Sequence, residues 1–599
     1  MHARNRTWLL GSDPVERCRQ RTLPVEGGDG STLSLDFTTG VLDPRLTFTR
    51  TTNATFINSQ GLVEWAQANL MTQSNAFTTS PWASTNVSMT TDGESPVGSA
   101  WRMTENSALA SVHRLDPAAV TCSNGVISIS VYVKQGSGTR QAYFLVSDNA
   151  TGEVRSKRLN PVDGSLQGTE LTGTSSWASA STSVVNVGDG WYRLVLTVTK
   201  GGGSGVIVRM GMSDSSGNLS YNGDGTSYLL FSGVQINPGS VQSYVATSGS
   251  IYQAPRFDYD PSTTPPQPRG LLIEGSASNL LKHSQGLFTS WIQFGTVGAL
   301  TTGITSPSGD SSAVSLNLNT AGNNGYYTNN TQMGYTNTVG ATYTFSIWVR
   351  ATGSTTNLNI RFGDSAVGYS ANIPITTSWQ RLQYSYVAVA ASGPTIASAT
   401  GTATGVVELW GAQLEAGSGA SSYIPTGAST GNRAADVCYI TNADYGFTTT
   451  GGTYFVEWER GEFATVSGQA CNPFSTDYAS GRWLGIGTAP AGTTATAGSW
   501  SGFLNATGTA VAGRNRAAVS YSSWVASASG VFRVNGGSEI TGTLTLGTTP
   551  TYLMIGSASA SAPYNGGGLR DFVNSRIRRI KYWPSVLPSA TLQAITVNT

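Results

Sequence analysis

Two distant stretches of this chain are nearly the same phrase. Phe231–Ser250 reads FSGVQINPGSVQSYVATSGS, and Leu409–Ser429 reads LWGAQLEAGSGASSYIPTGAS. The likeness extends upstream in preserved order. Asn69-Leu70-Met71, followed by Ser74, Phe77 and Trp82, parallels Asn279-Leu280-Leu281, followed by Ser284, Phe288 and Trp291. Ser95-Pro96-x-Gly98 parallels Ser306-Pro307-x-Gly309. ISVYVKQGSG from Ile129 parallels FSIWVRATGS from Phe345, and Trp191-Tyr192-Arg193-Leu194 parallels Trp379-Gln380-Arg381-Leu382. Matched blocks in one order mean a duplicated domain, and a fold for one copy must serve both.

Each copy alternates. VISISVYVKQ from Val126, WYRLVLTVTK from Trp191 and YTFSIWVRAT from Tyr343 set apolar residues on one face and polar residues on the other. Half-buried strands have that period. Clusters of Gly, Asn, Asp and Ser break the runs, and helical periodicity is nearly absent. The expected fold class is all-β: tandem antiparallel β-sandwich (jelly-roll) domains with a small N-terminal anchoring segment. The repeat sets the domains at 65–252 and 253–435. Residues 1–64 form an arm and a small β anchoring unit, and 436–599 a third sandwich. RFDYDPSTTPPQPRG, Arg256 to Gly270, reads as a stiff, polyproline-like linker. Ile577–Trp583 reads as a strand, with a short helix-like segment from Ser589.

Only 11% of the 599 residues are charged and the net charge is +1, so no basic field is present to hold nucleic acid. No segment has the length and apolarity of a membrane-spanning helix, and the first residues lack the apolar core of a secretion signal. Cys18, Cys122, Cys438 and Cys471 lie far apart and read as packed free thiols. Three histidines are few for a metalloenzyme or a histidine-based hydrolase of this length.

LDPRLTFTRTTNATFINSQGLVE, then PRFDYDP…RGLLIEGSASNLL, then GAQLEAGSGASSYIPT resemble phage virion fibre and spike proteins. There such segments introduce jelly rolls similar to carbohydrate-binding modules. The likeness spans roughly residues 33 to 430. From the FRVNGG turn and the Arg579-Ile580-Lys581-Tyr582 strand, the C-terminal part resembles a laminin-G or concanavalin-like lectin domain. The resemblance implies a structural virion protein, on a tail fibre, head fibre or spike, that binds bacterial surface polysaccharide during adsorption. It implies a homo-oligomer, expected as a trimer, attached to other virion proteins by the N-terminal arm and assembled in the host cytoplasm. The first copy departs from the pattern: it has INPGSVQSYVAT where the second has LEAGSGASSYIPT. One copy is expected to have drifted toward packing while the other keeps a surface role. A capsid or tail decoration protein without receptor role, or a polysaccharide depolymerase, is the alternative.

No catalytic residue is assigned. Gly427-Ala428-Ser429-Thr430-Gly431 has the spelling of a nucleophile elbow, but no histidine follows it and the chain reads as all-β. Carboxylate pairs able to serve a glycosidase are Glu408 with Glu415, Asp258 with Asp260, and Glu457 with Glu459. Oxygen-rich turns at Asp214 and Asp224 are calcium candidates, each also explained by turn chemistry. No other cofactor is expected. Trp and Tyr offer flat faces to sugar rings, so the glycan-binding candidates are Trp483, Trp500, Tyr521 and Trp524. Gly233, Gln235 and Tyr244, with Gly411, Gln413 and Tyr423, are read as the structural seam that closes each copy.

Overall fold

The computed structural model describes residues 28–122, 125–148, 154–172, 178–200, 205–285, 291–318, 324–329, 333–352, 358–364, 367–398, 405–460, 471–476, 484–488, 494–499, 502–506, 511, 513–559, 569–570 and 572–597. Chain packing divides it into two compact units. One is Phe48–Val437 and holds both copies of the repeat. The other joins the residues before Phe48 to those from Cys438 onward.

The first copy is a sandwich of two antiparallel sheets. One sheet runs in the order Ala178–Gly188, Trp191–Lys200, Gly125–Ser137, Tyr228–Pro238, Gly98–Glu105, Val87–Ser95. The facing sheet runs Leu166–Thr172, Val154–Leu159, Gln141–Asp148, Gly205–Ser213, Ser111–Pro117, with Trp82–Thr85 beside the last. Period-two alternation drives the pairing. Ile127, Ile129, Val131 and Val133 point inward with Leu194 and Leu196, against Phe144, Val146, Val208 and Met210. Each such side chain contributes about 1.5–3 kcal/mol by leaving water.

The second copy repeats the plan. Leu300–Ile304, Ala313–Asn317, Val406–Ala416, Thr342–Ala351 and Gln380–Val387 make one sheet. Ile292–Phe294, Gly325–Tyr327, Pro394–Ser398, Leu358–Asp364 and Gly368–Tyr369 make the other, with Ile373–Ile375 beside Leu358–Asp364. Leu316, Phe345, Ile347, Phe362, Ile396 and Leu409 fill the space between them.

The repeated phrase is the same set of hydrogen bonds made twice. Asn69 donates to the carbonyls of Val234 and Val245, and Asn279 to those of Ala412 and Ile424. Gln235 donates to the Ser243 carbonyl and accepts from the Val245 amide. Gln413 does the same with Ser422 and Ile424. The closing strand bulges at matching places, opposite Val131 and opposite Ile347. Gly233 (φ 54°) and Gly411 (φ 67°) lie in those bulges, in the left-handed region that a side chain resists.

Between the copies the sequence predicted a stiff linker. The structure instead folds it into a hairpin, Arg256–Asp260 against Gln267–Ile273. The prolines occupy its turn and margin, where a missing N–H costs little. A buried ion cluster holds this region. Arg256 pairs with Glu274 at 2.7 Å and with Asp436 at 2.5 Å, Arg433 with Glu274 at 3.0 Å, and Arg50 with Asp436 at 2.8 Å. Arg256 also donates to the Thr55 carbonyl and Ser422, and Arg50 to the Ala254 carbonyl. One cluster thus ties the segment before the first copy, the hairpin between copies and the exit of the second.

The other unit is also a sandwich. Leu33–Asp36, Ser575–Trp583, Gly452–Arg460, Gly513–Tyr521, Ala528–Val534 and Ile540–Leu544 are successive neighbours in one sheet. Val437–Thr441, Tyr552–Ile555, Cys471–Thr476, Gly485–Thr488, Ala495–Ser499 and Gly502–Ala506 follow one another in the other. The expected separate unit over 1–64 does not form among its described residues. Leu33–Asp36 completes the C-terminal sandwich because Leu33 and Leu35 bury their side chains there, while the hairpin Thr55–Ile57 with Val63–Trp65 belongs to the duplicated unit. Residues 1–27, the expected arm, lie outside the described residues. The helix Ser589–Thr596 falls where the sequence placed it and packs Leu592 over Phe455, Ala518 and Trp583.

Candidate functional site

The aromatic residues chosen from sequence do not make a platform. Tyr521 is fully buried, and its hydroxyl bonds that of Tyr582 at 2.9 Å and the Thr448 carbonyl at 2.8 Å. Trp524 is buried, donates to the Thr548 carbonyl at 2.9 Å and packs edge-on to Tyr521 and Phe447. The two are core residues of the C-terminal sandwich, because the inward face of its sheet takes large rings whose polar tips find partners. Trp483 and Trp500 lie outside the described residues.

The paired carboxylates are committed elsewhere. Glu457 is ringed by Arg578 at 3.1 Å, Arg579 at 3.2 Å, and Arg514 and Arg516 at 3.4 Å each. Arg578 also reaches Glu459 at 3.5 Å. Glu408 pairs with Arg350. Burial pushes the Glu415 carboxyl up, and it accepts hydrogen bonds from Gln413 and Ser421. Asp258 accepts from the Ile57 amide at 2.7 Å, and Asp260 closes a turn with Ser262. The two calcium candidates are turn residues. Asp214 accepts from Asn218, and Asp224 from Thr226 and Ser227. Among the described residues no group of three or more His, Cys, Asp or Glu is gathered for a metal. Gly427–Gly431 is an irregular exit segment leading into a short strand beside Ala277–Asn279, not a strand-to-helix elbow.

The seam residues are brought together as read. Tyr244 and Tyr423 close the ends of their copies through hydroxyl contacts with Ser74 at 2.7 Å and Ser284 at 2.8 Å. Arg193 donates to Ser130 and the Gln242 carbonyl, and Arg381 to Ser346 and the Ser421 carbonyl.

The outer face of the second copy's sheet carries partly exposed flat groups around a buried centre of small residues, Thr395 and Ala397 among them. Cross-strand register sets one row as Tyr327, Thr395, Gly363 and Tyr369, and the next as Phe294, Gly325, Ala397 and Arg361. The centre is made of small residues and the flanks of flat ones. Small residues let the flanking groups lie down on the sheet. A Cβ added to Gly363 would come within 2.7 Å of the Tyr369 ring. Arg361 stacks over Tyr369 at 4.6 Å while donating to the Ser398 carbonyl at 2.7 Å. Phe294 and Tyr327 meet at 6.2 Å between centroids. Tyr369 is 39% exposed, a high value for an aromatic ring lying on a sheet. From Tyr327 to Tyr369 is three strand spacings, about 14 Å.

Sequence reasoning missed these residues. It weighted Trp and Tyr outside the repeat, whereas the signal was Gly or Ala at outward positions of a strand flanked by aromatics.

No protein-family model matches the chain, and no curated protein matches it. Among solved structures it is similar to the N-terminal tandem CBM22 domain of Paenibacillus barcinonensis Xyn10C, with 14% identity over 59% of this chain and 98% of that one, at a TM-score of 0.22. The CBM22-1–GH10 modules of Clostridium thermocellum xylanase 10B, solved with xylohexaose, give 13% identity over 33% of this chain and 30% of that one, at a TM-score of 0.17. The LG1-3 region of the laminin α2 chain gives 9% identity over 78% of this chain and 95% of that one, at a TM-score of 0.13.

Proposed function

We propose that this chain is an adhesive protein that binds glycans through the outer sheet face of its second repeat and serves a phage particle as a fibre or spike. The observation that carries the binding half is the Tyr369 ring, exposed and packed beside Gly363, with Arg361 stacked on it and Tyr327 across the face. Sugars present apolar C–H faces and equatorial hydroxyls. Flat rings take the first, and a guanidinium beside them takes the second. The virion half rests on the resemblance of the segments from residue 33 to 430, and with it the N-terminal attachment, the trimer and the location on the particle surface.

Binding rather than hydrolysis is the proposed action, since the candidate acid pairs are held by arginines or buried in turns and seams. A single shallow face binds weakly, so display in several copies supplies avidity. The test is retention of the purified full chain on an array of bacterial polysaccharides, repeated with Tyr369→Ala. Retention of the native protein that Tyr369→Ala loses is expected. Equal retention of both proteins removes this face from the reading.

A further inference from the structure

The duplication allows one face to be followed from copy to copy. In the second copy the sheet order is Ile292–Phe294, Gly325–Tyr327, Pro394–Ser398, Leu358–Asp364. In the first it is Trp82–Thr85, Ser111–Pro117, Gly205–Ser213, Gln141–Asp148. The core pairs match as well: Met210 sits beside Phe144 as Ile396 sits beside Phe362. The outward residues differ in kind. Where the second copy has flat rings around small residues, the first has arginines. Arg158 is directly across from Tyr143, Tyr143 from Gly211, and Gly211 from Arg114, while Arg209 is across from Leu145 on the same face.

Two of these guanidiniums meet one carboxylate there, and the third does not. Asp116 takes Arg209 at 2.7 Å and Arg114 at 2.9 Å. Arg158 makes neither an ion pair nor a hydrogen bond among the described residues. It is held in place sterically, lying where a Cβ on Gly168 or Gly217 would stand, at 2.1 Å and 1.1 Å from its guanidinium nitrogens. A second orphan lies beneath. The Tyr143 ring rests against Gly211, 2.8 Å from a Cβ built there, and is 1% exposed. Its buried hydroxyl has the Arg114 guanidinium beside it but makes no well-formed hydrogen bond. Burial pushes this phenol up to about 12, so it keeps its proton and can donate. A buried hydroxyl left unbonded costs about 1–3 kcal/mol, and an oxygen-rich ligand would remove that cost.

We infer that this face of the first copy is a second binding site, which takes the acidic group of a charged polysaccharide between Arg158 and Arg114, above Tyr143. The backbones carrying the two arginines are three strand spacings apart, about 14 Å, and two arginine side chains reaching inward close that gap on one sugar unit. The bidentate fork of a guanidinium fits a carboxylate or a sulfate equally. That the anion is borne by a polysaccharide rests on the adhesive reading above; the site itself rests on its own residues. The two copies then divide the work: one takes the apolar faces of sugars, the other their charges.

The test uses the full chain and three probes: polygalacturonate for carboxylates, dextran sulfate for sulfates, and single-stranded DNA as a polyanion without acidic sugars. Arg158→Gln is the first variant, because among the described residues Arg158 makes no ion pair or side-chain hydrogen bond that its loss would break; thermal unfolding of the variant checks that it folds. Tyr143→Phe is the second. Binding to polygalacturonate or dextran sulfate that weakens at least about tenfold in Arg158→Gln, the worth of one charge-assisted hydrogen bond, is expected, with a smaller loss in Tyr143→Phe. Preference between the two polysaccharides identifies the acid. Equal binding of native protein and Arg158→Gln overturns the proposal, as does DNA binding at least as tight as that of either polysaccharide. Tyr369→Ala separates the two readings: acidic-glycan binding that survives in it while Arg158→Gln abolishes it supports this site even if the second-copy face binds nothing.

Discussion

The hydroxyl of Tyr423 meets that of Ser284 at 2.8 Å, and the first copy makes the same contact between Tyr244 and Ser74 at 2.7 Å. Each serine also accepts from the amide of a threonine in the irregular exit segment, Thr426 or Thr247, so the tyrosine anchors a small network rather than one bond. Tyr423 is 2% exposed and packs against Trp348 and Trp410. Tyr423→Phe keeps the ring and removes one hydroxyl, and is expected to cost about 1 kcal/mol. Tyr423→Ala leaves a cavity and is expected to cost about 3–5 kcal/mol. Thermal unfolding of both variants measures the difference. Binding to acidic polysaccharide below the melting transition is expected to be unchanged, because Tyr423 is in the other copy.

Gly411 is a position where a single methyl harms this seam. Its φ of 67° disfavours any side chain, and a Cβ there would come 2.9 Å from the Trp348 ring. Gly411→Ala is therefore expected to destabilise the duplicated unit by more than the roughly 1 kcal/mol of the backbone term alone. Denaturant unfolding should show a lowered midpoint with the slope unchanged.

The seam was legible because it was written twice. Gly233, Gln235 and Tyr244 match Gly411, Gln413 and Tyr423 in order, with the glycine-to-glutamine step the same, and the glutamine in each copy bonds the backbone flanking the tyrosine. The all-β fold was legible because alternation in strands such as Gly125–Ser137 and Thr342–Ala351 needs only local reading. The pairing of Leu33–Asp36 with Ser575–Trp583 was not, since partners more than five hundred residues apart leave no local signal. Tyr521 was misread for a related reason. A tyrosine at a strand end has the same spelling whether its hydroxyl meets water or, as here, Tyr582. The linker failed because four prolines favour extended chain, but the Arg256, Glu274 and Asp436 contacts that fold it into a hairpin are tertiary.

That ion cluster predicts how the duplicated unit responds to acid. Burial alone would raise the Glu274 carboxyl, but the guanidiniums of Arg433 and Arg256 outweigh it and hold the group well below the usual carboxylate range. A group depressed on folding adds stability above its unfolded value near 4.5, and that stability is lost as pH falls below it. Denaturant midpoints are therefore expected to fall steeply below about pH 4.5, less so in Glu274→Gln. Arg256→Met at neutral pH leaves Glu274 only Arg433 and Asp436 only Arg50, and is expected to cost about 3 kcal/mol, the low end for a broken buried pair. Glu415 has the opposite sign. Burial raises its carboxyl, so its contribution is present at low pH and lost as pH rises. The first copy has Asn237 at that place, bonded to Gln235 as Glu415 is to Gln413. Glu415→Gln is expected to stabilise the unit progressively as pH rises above the ordinary glutamate range.

Tyr369 and Tyr521 are the same residue type in opposite roles, and a paired experiment separates them. Tyr521 has no exposed surface, its hydroxyl is bonded, and burial pushes its phenol far above the ordinary value. Tyr521→Ala is expected to cost about 3–5 kcal/mol in the stability of the C-terminal sandwich, with no loss of glycan retention while that sandwich stays folded. Tyr369 is 39% exposed and its ring rests on Gly363 and under Arg361. Tyr369→Ala removes surface rather than core, so unfolding should change by no more than about 0.5–1 kcal/mol. Removing one stacking ring is expected to weaken binding to an isolated oligosaccharide by about 1–1.5 kcal/mol, roughly a tenfold rise in Kd. In the oligomer proposed above, the loss on an immobilised polysaccharide is expected to be larger, because each protomer carries the same defect and avidity compounds it. Calorimetric unfolding and oligosaccharide titration on the same two proteins check both halves. Retention that falls with Tyr521→Ala in folded protein, and not with Tyr369→Ala, would move the binding site to the C-terminal sandwich.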